Sequence, residues 1–480
     1  MPIFKRDSGP AGEQPEEHRL QAKVVSPDLD SDPEARVVGV VPEDDVFGTA
    51  DGDGPNYRNV GWIATAVLMF KTQVGLGVLS LPSVLHTLGI VPGTITLLAV
   101  GALSTWGMYV TGKFKSRYPQ VYSFADVGFM LAGQPGRIVC AVAYWLYMTI
   151  IAGSGLLSIS IAFNSMSLHG TCTAVFVVVA TIITFILASI QTLEKIAWIT
   201  YAGFISLVVS LLVVTIGVGV ADRPAEAPQT GPWNKDLHVF NNPTFGQAMG
   251  AIGQQVLSVG ATPAFFSIKS EMRNPNMYNR SLLLCQLSSM SFYIAIATTT
   301  YYYAGQYIAS PAFGSAGVLI KRIAYGLALP ALFVSCTIYT HVPAKWIFVN
   351  ILKGSEHLTK NTFKHWITWF ACVLGCVLFS YVVASAVPVF NGLVGLVGAL
   401  FGAFLCILVT SLMWIYLYGA EWRTGGAKLK LAVAAHILMA LAGAFLMVAG
   451  TYGSVLDIKA SFDSGDTTSP WGCADNSNSV

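Results

Sequence analysis

Long apolar runs separated by short polar segments constrain this chain more than any other feature. A run of about 20 apolar residues is long enough to cross a bilayer as a helix. Backbone groups in lipid must be bonded within the protein, which restricts spanning segments to helices and closed barrels. Only 11% of the residues are charged, whereas a soluble domain carries about 25%. The sequence therefore predicts an all-α polytopic membrane protein.

Eleven apolar segments are predicted to be transmembrane helices, and together they are predicted to form one transmembrane domain over residues 60–456. The segments are 60–84, 88–112, 137–164, 172–191, 196–221, 244–268, 280–306, 317–341, 366–387, 389–418 and 428–456. Pro388 is almost the only interruption between the ninth and the tenth. One long kinked helix at that point would reduce the count to ten.

The two flanking segments differ from the rest in composition. Residues 1–59 are rich in Pro, Asp, Glu and Gly, a composition that cannot bury enough apolar surface to offset the entropy of ordering. They are predicted to be a disordered cytoplasmic tail, either simply solvated or regulatory. The polar N-terminus does not resemble a cleavable signal peptide. Residues 457–480 are predicted to be an extracytoplasmic C-terminal tail.

Basic residues predict the orientation of the chain. With the N-terminus inside, 21 of the 27 Lys and Arg residues fall in cytoplasmic segments and five fall outside, while Lys71 lies within the first helix. Positive charge accumulates on the cytoplasmic side of membrane proteins. The N-terminus is thus predicted to be cytoplasmic and the C-terminus outside. Cys172 and Cys473 then share the outer side and are candidates for a disulfide.

Two predicted helices contain matching interruptions. The first carries Gly75 and Gly77 at mid-depth, and the sixth carries Gly260 and Pro263. Broken helices at corresponding places in two halves are typical of transporters built from inverted repeats, with the substrate site between them. The predicted fold is therefore an inverted five-plus-five repeat with broken helices one and six, plus one extra helix.

The break in the first helix offers a site for an anion. Free N–H groups and the positive end of a helix dipole favour a carboxylate, so a substrate carboxylate is predicted at the amides of Gly75, Leu76 and Gly77. The glycines could instead serve only close packing between helices.

Lys71 is the other unusual residue, because an ionisable group at mid-membrane is a functional candidate by default. No Asp or Glu lies well inside any predicted helix, so a sodium site built from carboxylates is absent. Lys71 could stay charged in the place of a sodium ion, or give up its proton because burial favours the neutral amine. It could also snorkel toward the inner interface.

Three passages resemble one known family. They are GLGVLSLP at 75–82, SEMRNP at 270–275, and VPVF at 387–390 followed by LVGLVGA at 393–399. In this order they resemble the amino acid/auxin permease family and, within it, the fungal neutral amino acid permeases. The resemblance covers residues 58–456.

The resemblance implies a secondary active transporter of neutral amino acids, proton-coupled and working by alternating access. It implies that the substrate ammonium meets carbonyls near Ser258, Gly260 and Ala261. The substrate side chain would face four residues of the third and eighth helices: Tyr144, Tyr147, Ser154 and Thr337. Sodium-coupled relatives tend to carry Asn where this chain has Lys71, which favours protons as the driving ion.

The implied partners are an amino acid, protons and the lipid bilayer. No cofactor or metal is expected, and a net charge of +2 does not indicate a nucleic-acid partner. A channel would show rings of charge or repeated filter loops, and an enzyme would show catalytic clusters inside the helices; neither pattern is visible. Two alternatives stay open, an amino acid sensor on a transporter fold and a vacuolar exporter. The plasma membrane is the favoured location.

Overall fold

The computed structural model of the protein describes residues 60–191, 193–352, 355, 357, 362–422, 424–464 and 469–477. The tail predicted over residues 1–59 lies outside these described residues. Apart from one isolated parallel bridge between Val60 and Met272, the described chain consists of helices and the loops between them. The prediction of an all-α fold is confirmed.

The helices of the first half are α1 (Trp62–Gln73), α2 (Leu81–Leu88), α3 (Ile90–Arg117), α4 (Phe124–Ser167), α5 (Thr173–Ala188) and α6 (Leu193–Val220). Those of the second half are α7 (Phe245–Val259), α8 (Phe265–Ser270), α9 (Tyr278–Ala304), α10 (Val318–Leu352), α11 (Phe363–Ala386), α12 (Phe390–Val397), α13 (Val409–Tyr418) and α14 (Ala427–Asp463). A π-helical stretch, Gly398–Leu408, joins α12 to α13.

Eight helical segments in the described residues are long and apolar enough to cross a membrane, and the bent pair α1–α2 makes a ninth. The helices α5, with 16 residues, and α7, with 15, are shorter than the shortest of these eight spans, which has 20. The predicted count of eleven therefore stays a prediction. Around Pro388 the chain forms two helices, since α11 ends at Ala386 and α12 begins at Phe390.

Several helices extend beyond their predicted limits, among them α10, which continues to Leu352, and the two that matter below, α4 and α14. The helix α4 begins 13 residues before the predicted start, with a capping box between Ser123 and Asp126, and bends at Gly133, whose φ is 64°. Only glycine adopts that backbone conformation readily. The helix α14 continues to Asp463, so Asp457 lies on a helix that outlasts its apolar run.

Glycines let α7, the first part of the sixth predicted helix, pack directly on its neighbours. A Cβ atom at Gly253 of α7 would lie 2.6 Å from the Gly395 carbonyl oxygen of α12. On the same face of α7, a Cβ at Gly453 of α14 would lie 2.3 Å from the Gly246 carbonyl oxygen. Small residues permit such backbone contact between membrane helices, and α7 thereby packs closely against both α12 and α14.

The predicted disulfide between Cys172 and Cys473 is present. It holds residues 469–477 against the end of the bundle where α4 and α5 meet. The Thr173 hydroxyl donates to the Ala474 carbonyl at 2.6 Å, and the Asn164 amide donates to Asn476 Oδ1 at 2.7 Å. This end of the bundle, referred to below as the disulfide end, also carries the C-terminal part of α14.

Candidate functional site

The predicted break in the first helix is confirmed. The helix α1 stops at Gln73, and the chain continues through extended backbone at Val74 (φ −81°, ψ 90°) and Gly75 (φ −132°, ψ −134°). A short 3-10 turn, Leu76–Leu79, then leads into α2. Pro82 lies in the first turn of α2, where a missing N–H costs nothing. The bend between the two halves is 52°.

The break in the sixth predicted helix is confirmed as well. The helix α7 ends at Val259, Gly260 leaves the helical conformation (φ −84°, ψ 43°), and a 3-10 turn, Thr262–Ala264, precedes α8. Thr244 and Gln247 form a capping box at the other end of α7. The side chain of Ala261 belongs to an apolar cluster with Met69 and Phe265.

The two breaks touch each other. A Cβ atom at Gly77 would lie 2.6 Å from both Cα and Oγ of Ser258, so a glycine is required for this approach. The Tyr293 hydroxyl of α9 lies 2.9 Å from the Gln73 carbonyl and 2.7 Å from the Ser258 carbonyl. A tyrosine hydroxyl has one proton to donate, so the two carbonyls share a single donor.

Protein side chains donate hydrogen bonds to the carbonyls that the sixth-helix break frees. The Ser104 hydroxyl of α3 donates to the Val259 carbonyl at 2.7 Å. The Tyr147 hydroxyl of α4 donates to the Gly260 carbonyl, which also lies 3.5 Å from Cys406 Sγ. Freed backbone groups at membrane depth must be satisfied by protein, water or ligand, and here the protein supplies the donors.

The first-helix break is less completely filled. The Tyr339 hydroxyl of α10 donates to the Thr72 carbonyl at 3.1 Å. A Cβ atom at Gly75, however, would have no heavy atom of the described residues within 4 Å. No side chain caps the 3-10 turn that follows Gly75. The backbone at Gly75 therefore borders open space, whereas Gly77 is packed.

Lys71 lies one turn before the first-helix break and is only 3% exposed. Its ammonium donates to Ser335 Oγ of α10 at 2.9 Å. No carboxylate of the described chain lies within 4.0 Å of this ammonium. The side chain is directed into the bundle rather than toward the membrane interface. Its hydrogen bond to Ser335 joins α1 to α10, and no carboxylate of the described residues neutralises the ammonium.

The other predicted site residues differ in their surroundings. Tyr147 reaches the sixth-helix break, and Tyr144 is buried in the main apolar cluster. The Ser154 hydroxyl donates to the Ile150 carbonyl of its own helix, and the Thr337 hydroxyl is buried without a partner in the described residues. The side chain of Leu76 lies outside the described atoms.

Several residues at the breaks were not predicted from the sequence: Ser104, Tyr293, Ser335 and Tyr339. A further unpredicted feature is the pair Gln73 and Gln286, whose amides exchange hydrogen bonds of 2.6 and 3.3 Å. Each of these residues carries a polar side chain inside a predicted apolar segment. That pattern is the sequence feature by which they could have been identified as candidates.

The starting segment of α1 is joined to the loop after α8. The Val60 amide donates to the Glu271 carbonyl at 3.3 Å, and the Arg273 amide donates to the Val60 carbonyl at 3.0 Å. Burial raises the pKa of the Glu271 carboxyl, and the charge of Lys345 opposes this effect. The start of the first broken helix and the end of the second are thus connected through the backbone at this point.

Comparisons with known proteins agree on one family. The family profile described as "Transmembrane amino acid transporter protein" matches residues 58–456. A "Transmembrane transporter" of Gibberella moniliformis is 34% identical over 89% of this chain and 90% of its own. The "N amino acid transport system protein" of Neurospora crassa is 28% identical over 87% of this chain and 89% of its own.

A similar fold occurs in a solved structure. A nucleobase-cation-symport-1 family transporter in a closed conformation superposes with a TM-score of 0.51 at 13% identity, covering 92% of this chain and all of that one. At this level of identity the similarity concerns the fold alone.

Proposed function

Because the chain belongs to the family of transmembrane amino acid transporter proteins, we propose that it carries neutral amino acids by proton-coupled symport. The observation that carries this proposal is the meeting of two broken helices beside one buried, unneutralised lysine. Transport would proceed by alternating access, with the substrate held between the breaks.

The substrate carboxylate is assigned to the backbone at Gly75, Leu76 and Gly77. Support comes from the open space beside Gly75 and from the uncapped turn that follows it. Uncapped N–H groups at a helix start attract an anion. Gly77 supports the site indirectly, because its contact with Ser258 brings the two breaks together.

The substrate ammonium is assigned to the carbonyls from Ser258 to Ala261. Tyr293, Ser104 and Tyr147 already donate to three of them. A carbonyl oxygen has two lone pairs, so an ammonium can share these carbonyls with the side chains. The substrate side chain would then face Tyr144, Tyr147, Ser154 and Thr337.

Neutral substrates are favoured by the charge of the site. A cationic side chain would need a buried carboxylate as a partner, and Lys71 already places one positive charge beside the first-helix break. We assign the proton coupling of transport to Lys71. Its ammonium joins α1 to α10 and would take the place of a driving cation. Loss of its proton would remove the charge that holds the two helices together.

Uptake into proteoliposomes tests the proposal. A panel of labelled amino acids is offered under a proton gradient and, separately, under a sodium gradient. We expect small neutral amino acids to accumulate with the proton gradient alone. Accumulation that follows sodium and ignores pH contradicts the coupling, and specific binding without uptake indicates a sensor.

Two variants examine the role of Lys71. Lys71→Met keeps the length of the side chain and removes its charge, and we expect exchange of substrate without accumulation. Ser335→Ala removes the hydroxyl partner but keeps the charge, so accumulation should be weakened rather than lost. Normal gradient-driven accumulation by Lys71→Met would show that the assignment is wrong.

The proposed location is the plasma membrane, with the disulfide end outside. The basic-residue distribution and the disulfide support it, because disulfides persist in oxidising compartments. The six other cysteines are buried.

Labelling of intact cells tests this location. After treatment with an impermeant reductant, an impermeant maleimide should label Cys172 and Cys473 of the wild type. The Cys172→Ser/Cys473→Ser variant should not be labelled. A wild-type protein that is labelled only after the cells are opened would indicate an internal membrane.

A further inference from the structure

A polar cavity lies at the disulfide end of the bundle. Its volume is about 280 Å³, and it is bordered by α2, α7, the start of α12 and the end of α14. Its polar lining includes Gln254, Asn391 and Asp457. None of these residues was assigned a role above.

Asp457 supplies a negative charge to this cavity. Its Oδ2 atom lies against the backbone of α7, where a Cβ atom at Gly250 would come within 2.3 Å of it. No basic group of the described chain lies within 4.0 Å of the carboxylate. A half-buried carboxylate without a cationic partner favours a cation from outside the protein.

Gln254 supplies an acceptor that the protein leaves unused. The residue is 6% exposed, and its Oε1 atom accepts no hydrogen bond from the described residues. A buried polar atom without a partner costs free energy, and a ligand donor in the cavity would remove that cost.

A line of polar atoms connects the cavity to the two breaks. Ser454, one turn before Asp457, is fully buried, and its hydroxyl has no partner in the described residues. Both Ser454 and Gln254 lie near Gly395. The Gln254 carbonyl accepts from Ser258 Oγ at 2.8 Å, and Ser258 in turn contacts Gly77. The lining residue Gln254 is therefore one turn of α7 away from the contact between the two breaks.

We propose that this cavity is a second binding station for the substrate, in which Asp457 and Gln254 hold the amino acid's ammonium group before it reaches the breaks. The inference rests on the proposed function. An ammonium group has three donors and suits one carboxylate and one amide oxygen. A calcium ion takes six to eight oxygen ligands, and the cavity offers one carboxylate. The substrate carboxylate would face the amide of Asn391.

Equilibrium binding of labelled L-alanine to the purified full-length protein tests the inference. The wild type should bind two equivalents, and Asp457→Asn should bind one. Asp463→Asn is the matched control, because Asp463 is an exposed carboxylate on the same helix outside the cavity. It should bind two. Two equivalents on Asp457→Asn would overturn the proposal.

A competition experiment needs no variant. Ethylamine carries an ammonium but no carboxylate, so it should compete better for Asp457, whose charge binds the ammonium, than for the breaks, where the substrate carboxylate adds to binding. One equivalent of alanine should be displaced from the wild type at a lower ethylamine concentration than the other. A single displacement step for both equivalents, or no displacement, would contradict the assignment.

Failure of this inference can be distinguished from failure of the proposed function. A wild type that accumulates alanine in proteoliposomes but binds one equivalent would overturn the second station alone. A wild type that neither binds nor accumulates any neutral amino acid would overturn both.

Discussion

The two broken helices occupy corresponding positions in the inverted repeat, yet the surrounding residues satisfy and pack against their breaks to different extents. At the sixth-helix break, Ser104 and Tyr147 donate to the freed carbonyls, and glycines hold α7 against α12 and α14. At the first-helix break, the backbone beside Gly75 borders space that the described residues leave open. The comparison shows that protein donors satisfy one break, whereas the other is satisfied less completely by the residues around it.

The largest expected effect is that of Gly77→Ala. The new methyl group would lie 2.6 Å from the Ser258 Cα atom, which is backbone and cannot rotate away. Overpacking of this kind typically costs about 1–3 kcal/mol. We expect loss of transport together with a lower thermal unfolding temperature in detergent. Normal uptake by this variant would mean that the breaks do not need to touch.

The matched substitution, Gly75→Ala, should leave stability unchanged. The methyl group enters space that holds no heavy atom within 4 Å, so the unfolding temperature should equal that of the wild type. Substrate binding should weaken on the order of tenfold, corresponding to about 1.4 kcal/mol, because the carboxylate can no longer approach the backbone. Wild-type affinity would show that the open space is not the carboxylate site.

The shared donor at Tyr293 gives the next largest expected effect. Tyr293→Phe removes the one hydroxyl that serves the Gln73 and Ser258 carbonyls, so the stability loss should be about 1–2 kcal/mol. Tyr147→Phe affects the sixth-helix break alone and serves as the control. Transport should fall further in Tyr293→Phe than in Tyr147→Phe, and the reverse order would indicate that the breaks work independently.

The smallest effect is expected for Ser104→Ala. Its hydroxyl bonds only the Val259 carbonyl, and single polar bonds between membrane helices contribute on average about 0.6 kcal/mol. Substrate affinity should change little, since α7 is also held by glycine contacts. A large loss of affinity measured by substrate binding would mean that Ser104 orients the carbonyls for the ammonium.

The sequence predicted the helices and both breaks because apolar runs and paired glycines are local signals. It did not predict the bond from Lys71 to Ser335, whose residues are 264 positions apart and meet only through tertiary packing. Tyr293 and Ser104 were missed because a polar side chain inside an apolar run gives no indication of its partner. Asp457 was assigned to a tail because hydrophobicity ends near residue 456, although α14 continues to Asp463.

The disulfide has a consequence for the biogenesis of the protein. Cys172 and Cys473 are 301 residues apart, so Cys172 is synthesised long before its partner and waits until α14 has been inserted. A chain whose last helix fails to insert, or inserts in the wrong direction, would keep the Cys172 thiol free. The thiol state of Cys172 thus reports whether the last helix has joined the bundle, and a thiol-specific label could separate completed molecules from arrested ones.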